Sequence, residues 1–121
     1  MSLVTAADPV TPAHVEAFAR DGFVRLDGLL DPAALARIGE RITALTIALN
    51  TDHRPLEERS TYDRAFLQVM NLWQHDGEVR AFVHDSSLAR AAATLLGMSG
   101  VRLYHDQSLY KEPGGGITPA H

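Results

Sequence analysis

Val101-Arg102-Leu103-Tyr104-His105-Asp106-Gln107-Ser108-Leu109-Tyr110-Lys111-Glu112-Pro113-Gly114-Gly115-Gly116-Ile117-Thr118-Pro119-Ala120-His121 is the stretch whose reading decides the fold. A β-rich run over residues 101–111 meets a Pro-Gly-Gly-Gly turn, and a histidine follows. Alternate residues of a strand share a face. Leu103, His105, Gln107, Leu109 and Lys111 therefore point one way, and Arg102, Tyr104, Asp106, Ser108 and Tyr110 the other. The first set mixes apolar residues with an amide and an ammonium. A face of that kind suits a wet interior that holds a ligand better than a dry core.

Working outward, residues 66–73 read as a second strand, with Phe66, Gln68, Met70 and Leu72 on one face and Leu67, Val69, Asn71 and Trp73 on the other. Thr11-Pro12 and Asp31-Pro32 each read as an N-cap followed by proline in the first helical turn. The first helix stops at Asp21-Gly22, and residues 23–26 predict a short strand before the Asp27-Gly28 turn. Leu35, Ile38, Ile42, Leu45 and Leu49 recur at steps of three and four, which is one stripe of an amphipathic helix. Residues 50–63 are polar and charged and read as an exposed connector, with a lid over the site as the functional alternative. Asp76-Gly77 breaks the second strand ahead of a short helix over residues 78–84. Ser86 or Ser87 caps a further helix, residues 88–96, which ends at Gly97.

Composition sets outer bounds. A chain of 121 residues fits one domain with a real core. Net charge −4 and the lack of a basic patch argue against a nucleic-acid partner. With no cysteine, neither a disulfide framework nor a thiolate metal site is available. No apolar run reaches the length of a membrane span, and the first residues lack the pattern of a signal peptide. A cytoplasmic protein with no membrane partner is the expectation. Residues 1–10 show no periodicity and read as a leader.

Leu103-Tyr-His-Asp-Gln-Ser-Leu-Tyr-Lys-Glu-Pro-Gly-Gly-Gly-x-Thr-Pro-x-His121 resembles the strand and loop that lead into the metal motif of the phytanoyl-CoA dioxygenase family. The opening order of helix, Gly-Phe-Val segment, Gly-Leu-Leu turn and long helix is also similar to the start of that family. Its members are non-haem Fe(II), 2-oxoglutarate-dependent oxygenases. The resemblance implies a single dioxygenase domain whose N-terminal part is residues 11–121. It also implies an α+β chain, the incomplete front of a double-stranded β-helix (a cupin-like jelly roll) with flanking N-terminal helices. His121 then stands where the family places its first iron ligand. A facial triad of two histidines and one carboxylate leaves positions open for co-substrate and O₂. Residues two apart on an extended backbone can chelate one ion, so a His-x-Asp pair suits that task. Its aspartate, the second histidine and the arginine for 2-oxoglutarate would follow residue 121, so the 121-residue chain alone is expected to be inactive.

By the same resemblance, Gln107, Leu109 and Lys111 bind the co-substrate 2-oxoglutarate. An amide and an ammonium suit a dicarboxylate, and Leu109 between them is an apolar wall. The bland alternatives are that Lys111 reaches to solvent and Gln107 bonds nearby backbone. Asn71 and Trp73 are candidates for the channel of a small-molecule substrate, with core packing as the alternative for Trp73. Of the remaining histidines, His53 reads as solvated, and His75, His84 and His105 as structural hydrogen-bonders; His14-x-Glu16 is no chelate, because it lies on a helix, where residues two apart do not face each other. The glycine run lacks the P-loop spacing and reads as a turn. A non-catalytic α+β interaction module and a cupin-like metal isomerase or epimerase are the other classes open to such a chain.

Overall fold

The computed structural model describes residues 9–118. Within them the chain is α+β: five α-helices and a two-stranded antiparallel sheet. The expected leader falls largely outside that range, but Val10, at its end, is buried. Thr11 then caps α1 (Pro12–Asp21), accepting the His14 N–H, while His14 Nδ1 accepts the Thr11 N–H at 3.2 Å. His14 thus completes a reciprocal capping box, a structural task for the histidine nearest the N-terminus. Gly22 closes the helix at φ 80°, a left-handed conformation that glycine adopts without steric cost.

Residues 23–26, expected as a strand, form no ladder. Phe23 is 75% exposed, and a strand without a neighbour leaves its backbone groups to water. The chain then enters α2 (Pro32–Leu49), where Asp31 accepts the Ala34 N–H at 2.8 Å. The buried stripe of α2 is Ala34, Ile38 and Thr46, flanked by Ile42 and Leu45, while Leu35 is exposed. The stripe is therefore rotated toward Thr46 relative to the purely apolar reading. Ile38 meets Leu72 and Val79 in the core, with Val69, Phe82 and Val83 packed around them. Burying Ile38, Leu72 and Val79 contributes roughly 1.5–3 kcal/mol each.

Residues 50–63 are more than a connector. They carry a 3-10 turn at Leu56–Glu58 and the start of α3 (Thr61–Ala65), which Ser60 caps. The strand β1 (Leu67–Met70) follows and ends earlier than its sequence pattern suggests. Asn71 takes up a left-handed conformation (φ 57°, ψ 42°) and turns the chain into a 3-10 segment, Leu72–Gln74. Asparagine tolerates that conformation better than most residues with a side chain. Leu72 and Trp73 thereby leave the sheet, and Leu72 becomes one of the most buried residues of the core.

Asp76 caps α4 (Gly77–Val83) through the N–H groups of Glu78 and Val79. These bonds, the Val79 N–H foremost, together with Arg41 hold its carboxyl below the usual carboxylate range against the opposing effect of burial. For α5 (Ser86–Leu96) the cap is Asp85 rather than either serine, because its carboxylate accepts from both Ser87 and Leu88. Gly97 ends α5 in the left-handed region, as expected.

β2 (Gln107–Tyr110) pairs with β1 in the register Leu67↔Tyr110, Gln68↔Leu109, Val69↔Ser108 and Met70↔Gln107. Residues 101–106 are not strand, contrary to the reading of a continuous run from Val101. The register explains this: the residue opposite position 106 is Asn71, where the chain turns away. The Asn71 N–H donates to the Asp106 carbonyl at 2.9 Å as a last rung. Upstream of it no strand among the described residues pairs with the chain, and Tyr104 is 92% exposed.

Candidate functional site

The two faces of the sheet have different neighbours. On one, Ser108 and Tyr110 meet α2: Thr46 Oγ1 donates to Ser108 Oγ at 2.8 Å, and the Thr43 and Tyr110 hydroxyls are bonded at 2.6 Å. The other carries Gln107 and Leu109 opposite Met70 and Gln68. It opens into a cleft of about 760 Å³ lined by Phe66, Gln68, Gln107, Leu109 and Ile117, with Tyr62 and Ala65 of α3 among the residues of its far wall. Tyr62 Oη donates to Gln68 Oε1 at 3.2 Å. The lining is mostly apolar, and the two amides stand on the sheet side. Leu109 and Ile117 remain substantially exposed at the cleft.

Lys111 sits just beyond β2. Its Nζ lies 4.6 Å from the Phe66 ring centroid and donates to the Gly116 carbonyl at 2.6 Å. An ammonium has three donors, so this bond leaves capacity for an anion. The intervening Glu112-Pro113-Gly114-Gly115 segment closes as a β-turn, the Gly115 N–H donating to the Glu112 carbonyl at 2.9 Å and Gly114 standing at φ 80°. Proline second and glycine third is the arrangement a type II turn requires.

Asn71 and Trp73 are placed elsewhere. Asn71 serves the turn between β1 and the 3-10 segment, its carbonyl accepting the Gln74 N–H at 3.1 Å. Trp73 packs edge-on against His84 at 5.1 Å, and the Arg80 guanidinium lies 5.0 Å from its ring centroid. Neither residue lines the cleft that holds Gln107 and Leu109. His75 closes the 3-10 segment, and the His105 ring lies tilted against Tyr104.

His121, the candidate iron ligand, lies outside the described residues. Among those residues no group of three or more His, Cys, Asp or Glu converges to hold a metal ion. These residues do not form an iron centre on their own. No helix among them is long and apolar enough to cross a membrane.

Sequence reasoning overlooked Arg59. Its side chain is 8% exposed and forms a hydrogen-bonded ion pair with Glu112, just ahead of the glycine turn. Its Nε donates to the Arg54 carbonyl at 2.8 Å. Arg54 in turn makes a two-point pair with Asp52, at 2.8 and 2.7 Å. That pair pulls the Asp52 carboxyl down to about 2 and raises the pKa of the Arg54 guanidinium. Gln68 was legible by strand parity alone, since it shares its face with Phe66.

The chain is thus α+β, with one face of its sheet on a long helix and the other open toward a mostly apolar cleft that carries two amides. A family model described as phytanoyl-CoA dioxygenase (PhyH) matches residues 18–121, and the chain belongs to that family. No curated protein and no solved structure matches the chain.

Proposed function

We propose that this chain is the N-terminal part of an Fe(II)/2-oxoglutarate-dependent dioxygenase. Residues 11–121 form the front of one jelly-roll domain, and the whole enzyme hydroxylates a small organic or acyl substrate. The reaction consumes O₂ and converts 2-oxoglutarate to succinate and CO₂. The observation that carries the reading is the cleft face of β2, where Gln107 and Leu109 stand side by side, with the Lys111 ammonium over Phe66, another residue of the lining. Membership of an oxygenase family supports it.

In this reading the Gln107 amide donates to a carboxylate of 2-oxoglutarate, and the Lys111 ammonium supplies charge while keeping its bond to Gly116. Leu109 and Phe66 exclude water from the co-substrate's carbon chain. His121 would be the first protein ligand of the iron, which when bound would supply the oxidising power together with O₂. The remaining ligands and the arginine for the distal carboxylate come from residues that follow His121. A cytoplasmic location belongs to the same reading.

The test is 2-oxoglutarate turnover by two purified proteins supplied with Fe(II). The 121-residue chain should be inactive, and the protein extended by the codons that follow His121 should convert 2-oxoglutarate to succinate. In the extended protein, Gln107→Ala and Lys111→Ala should raise the apparent KM for 2-oxoglutarate. A metal isomerase would show no such dependence, and turnover by the short chain would refute the reading.

A further inference from the structure

We infer that Arg59 is a positioning residue for the co-substrate edge of the cleft, acting through Glu112; the inference rests on the dioxygenase reading above. The segment from Asn50 to α3 behaves as a strap laid against the glycine turn. Its near end is folded on itself: the Asn50 side chain donates to the Asp52 carbonyl and accepts the Asp52 N–H. Asp52 holds Arg54, and the Arg54 carbonyl accepts from Arg59.

From there Arg59 reaches across 53 positions of sequence to the Glu112 carboxylate. The far end of the strap holds the same turn a second time, because the Arg64 carbonyl accepts the Gly116 N–H at 3.2 Å. Backbone and strap are so close that a Cβ on Gly115 would stand 2.7 Å from the Arg64 oxygen. Lys111 adds a second hold on Gly116, through its carbonyl.

The consequence follows from chain geometry. Lys111 and Glu112 are adjacent in sequence, so fixing the Glu112 side chain constrains the backbone that carries Lys111. An exposed ion pair would exert little force, but Arg59 is almost wholly removed from water and Glu112 is only 32% exposed. A pair so desolvated is costly to break from one side, since the surviving charge keeps its desolvation cost. The strap therefore dictates where the ammonium of Lys111 stands. A solvated connector would have no such control.

The test uses the full-length protein, with kinetics in 2-oxoglutarate and amide hydrogen exchange at Gly115 and Gly116. Arg59→Ala should raise the KM for 2-oxoglutarate by about tenfold while changing kcat by less than about threefold. Exchange at both glycines should speed up together. Glu112→Gln, which keeps the side chain's shape, should shift KM the same way and covers the case in which Arg59→Ala does not fold. The exchanged pair Arg59→Glu with Glu112→Arg should recover most of the loss, whereas a role in packing alone gives no rescue. Faster glycine exchange with unchanged KM overturns the inference and leaves the dioxygenase reading standing. A wild-type protein that turns over no 2-oxoglutarate overturns both, and needs no variant to show it.

Discussion

Thr46 Oγ1 donates to Ser108 Oγ at 2.8 Å across the seam between α2 and the sheet, and both residues are buried. Ser108 passes the interaction on, donating to the Val69 carbonyl at 3.4 Å. Thr46 Oγ1 also lies 2.7 Å from the Ile42 carbonyl, a second acceptor within reach of its single proton. This polar seam decides which face of the sheet lies on the helix and which is left to the cleft. A one-residue slip of β2 would bring Gln107 and Leu109 onto α2 and strand Ser108 in the cleft.

Replacing Thr46 with Val keeps the shape and removes the donor. The loss should be about 1–2 kcal/mol, because Ser108 stays buried with a weakened network. Ser108→Ala should cost a similar amount. The double variant should cost less than the sum, with a coupling of roughly 0.5–1 kcal/mol. Urea denaturation of the four proteins measures the cycle, and strict additivity would contradict a direct bond.

Asp52 makes stability depend on pH in a defined window. Its carboxyl is lowered from 3.8 to about 2, chiefly by the hydrogen bond from the Arg54 side chain. A depressed folded pKa means that the folded state binds protons less readily than the unfolded chain. The stabilisation is therefore complete above the unfolded value and is lost as pH falls through the folded one. Asp52→Asn should lower the melting temperature at pH 6. Its deficit relative to the parent should shrink between pH 4 and pH 2, the interval that the shift spans. A constant difference across that interval would exclude the pair as its source.

Much of the local structure was legible because its causes are local. Thr11-Pro12 and Asp31-Pro32 start helices, and Gly22 and Gly97 end them, through bonds that reach only a few residues. Strand parity correctly separated Gln107 and Leu109 from Ser108 and Tyr110. The failures trace to distant partners. Residues 101–106 looked like strand by composition, but their pairing was forfeited when Asn71 turned left-handed. Arg59 looked solvated because the carboxylate that buries it lies on the far side of the chain. The cleft wall supplied by α3 was missed for the same reason: residues 50–63 gave no apolar stripe to mark them as packed.

Two glycines with opposite surroundings test how tightly the turn is held. At Gly115 an added Cβ would stand 2.7 Å from the Arg64 carbonyl oxygen and 3.0 Å from that of Glu112, both backbone atoms that cannot rotate aside. Gly115→Ala must therefore push the turn off the strap, at a cost of about 1–3 kcal/mol. Gly39 lies within α2, where an added Cβ meets nothing within 4 Å. There the dominant effect is helix propensity, and Gly39→Ala should stabilise the protein by about 0.5–1 kcal/mol. Thermal or urea unfolding of the two variants reads both signs directly. Equal and small effects would mean that the turn moves away from Arg64 without resistance, and that the approach of its backbone to the strap carries no strain.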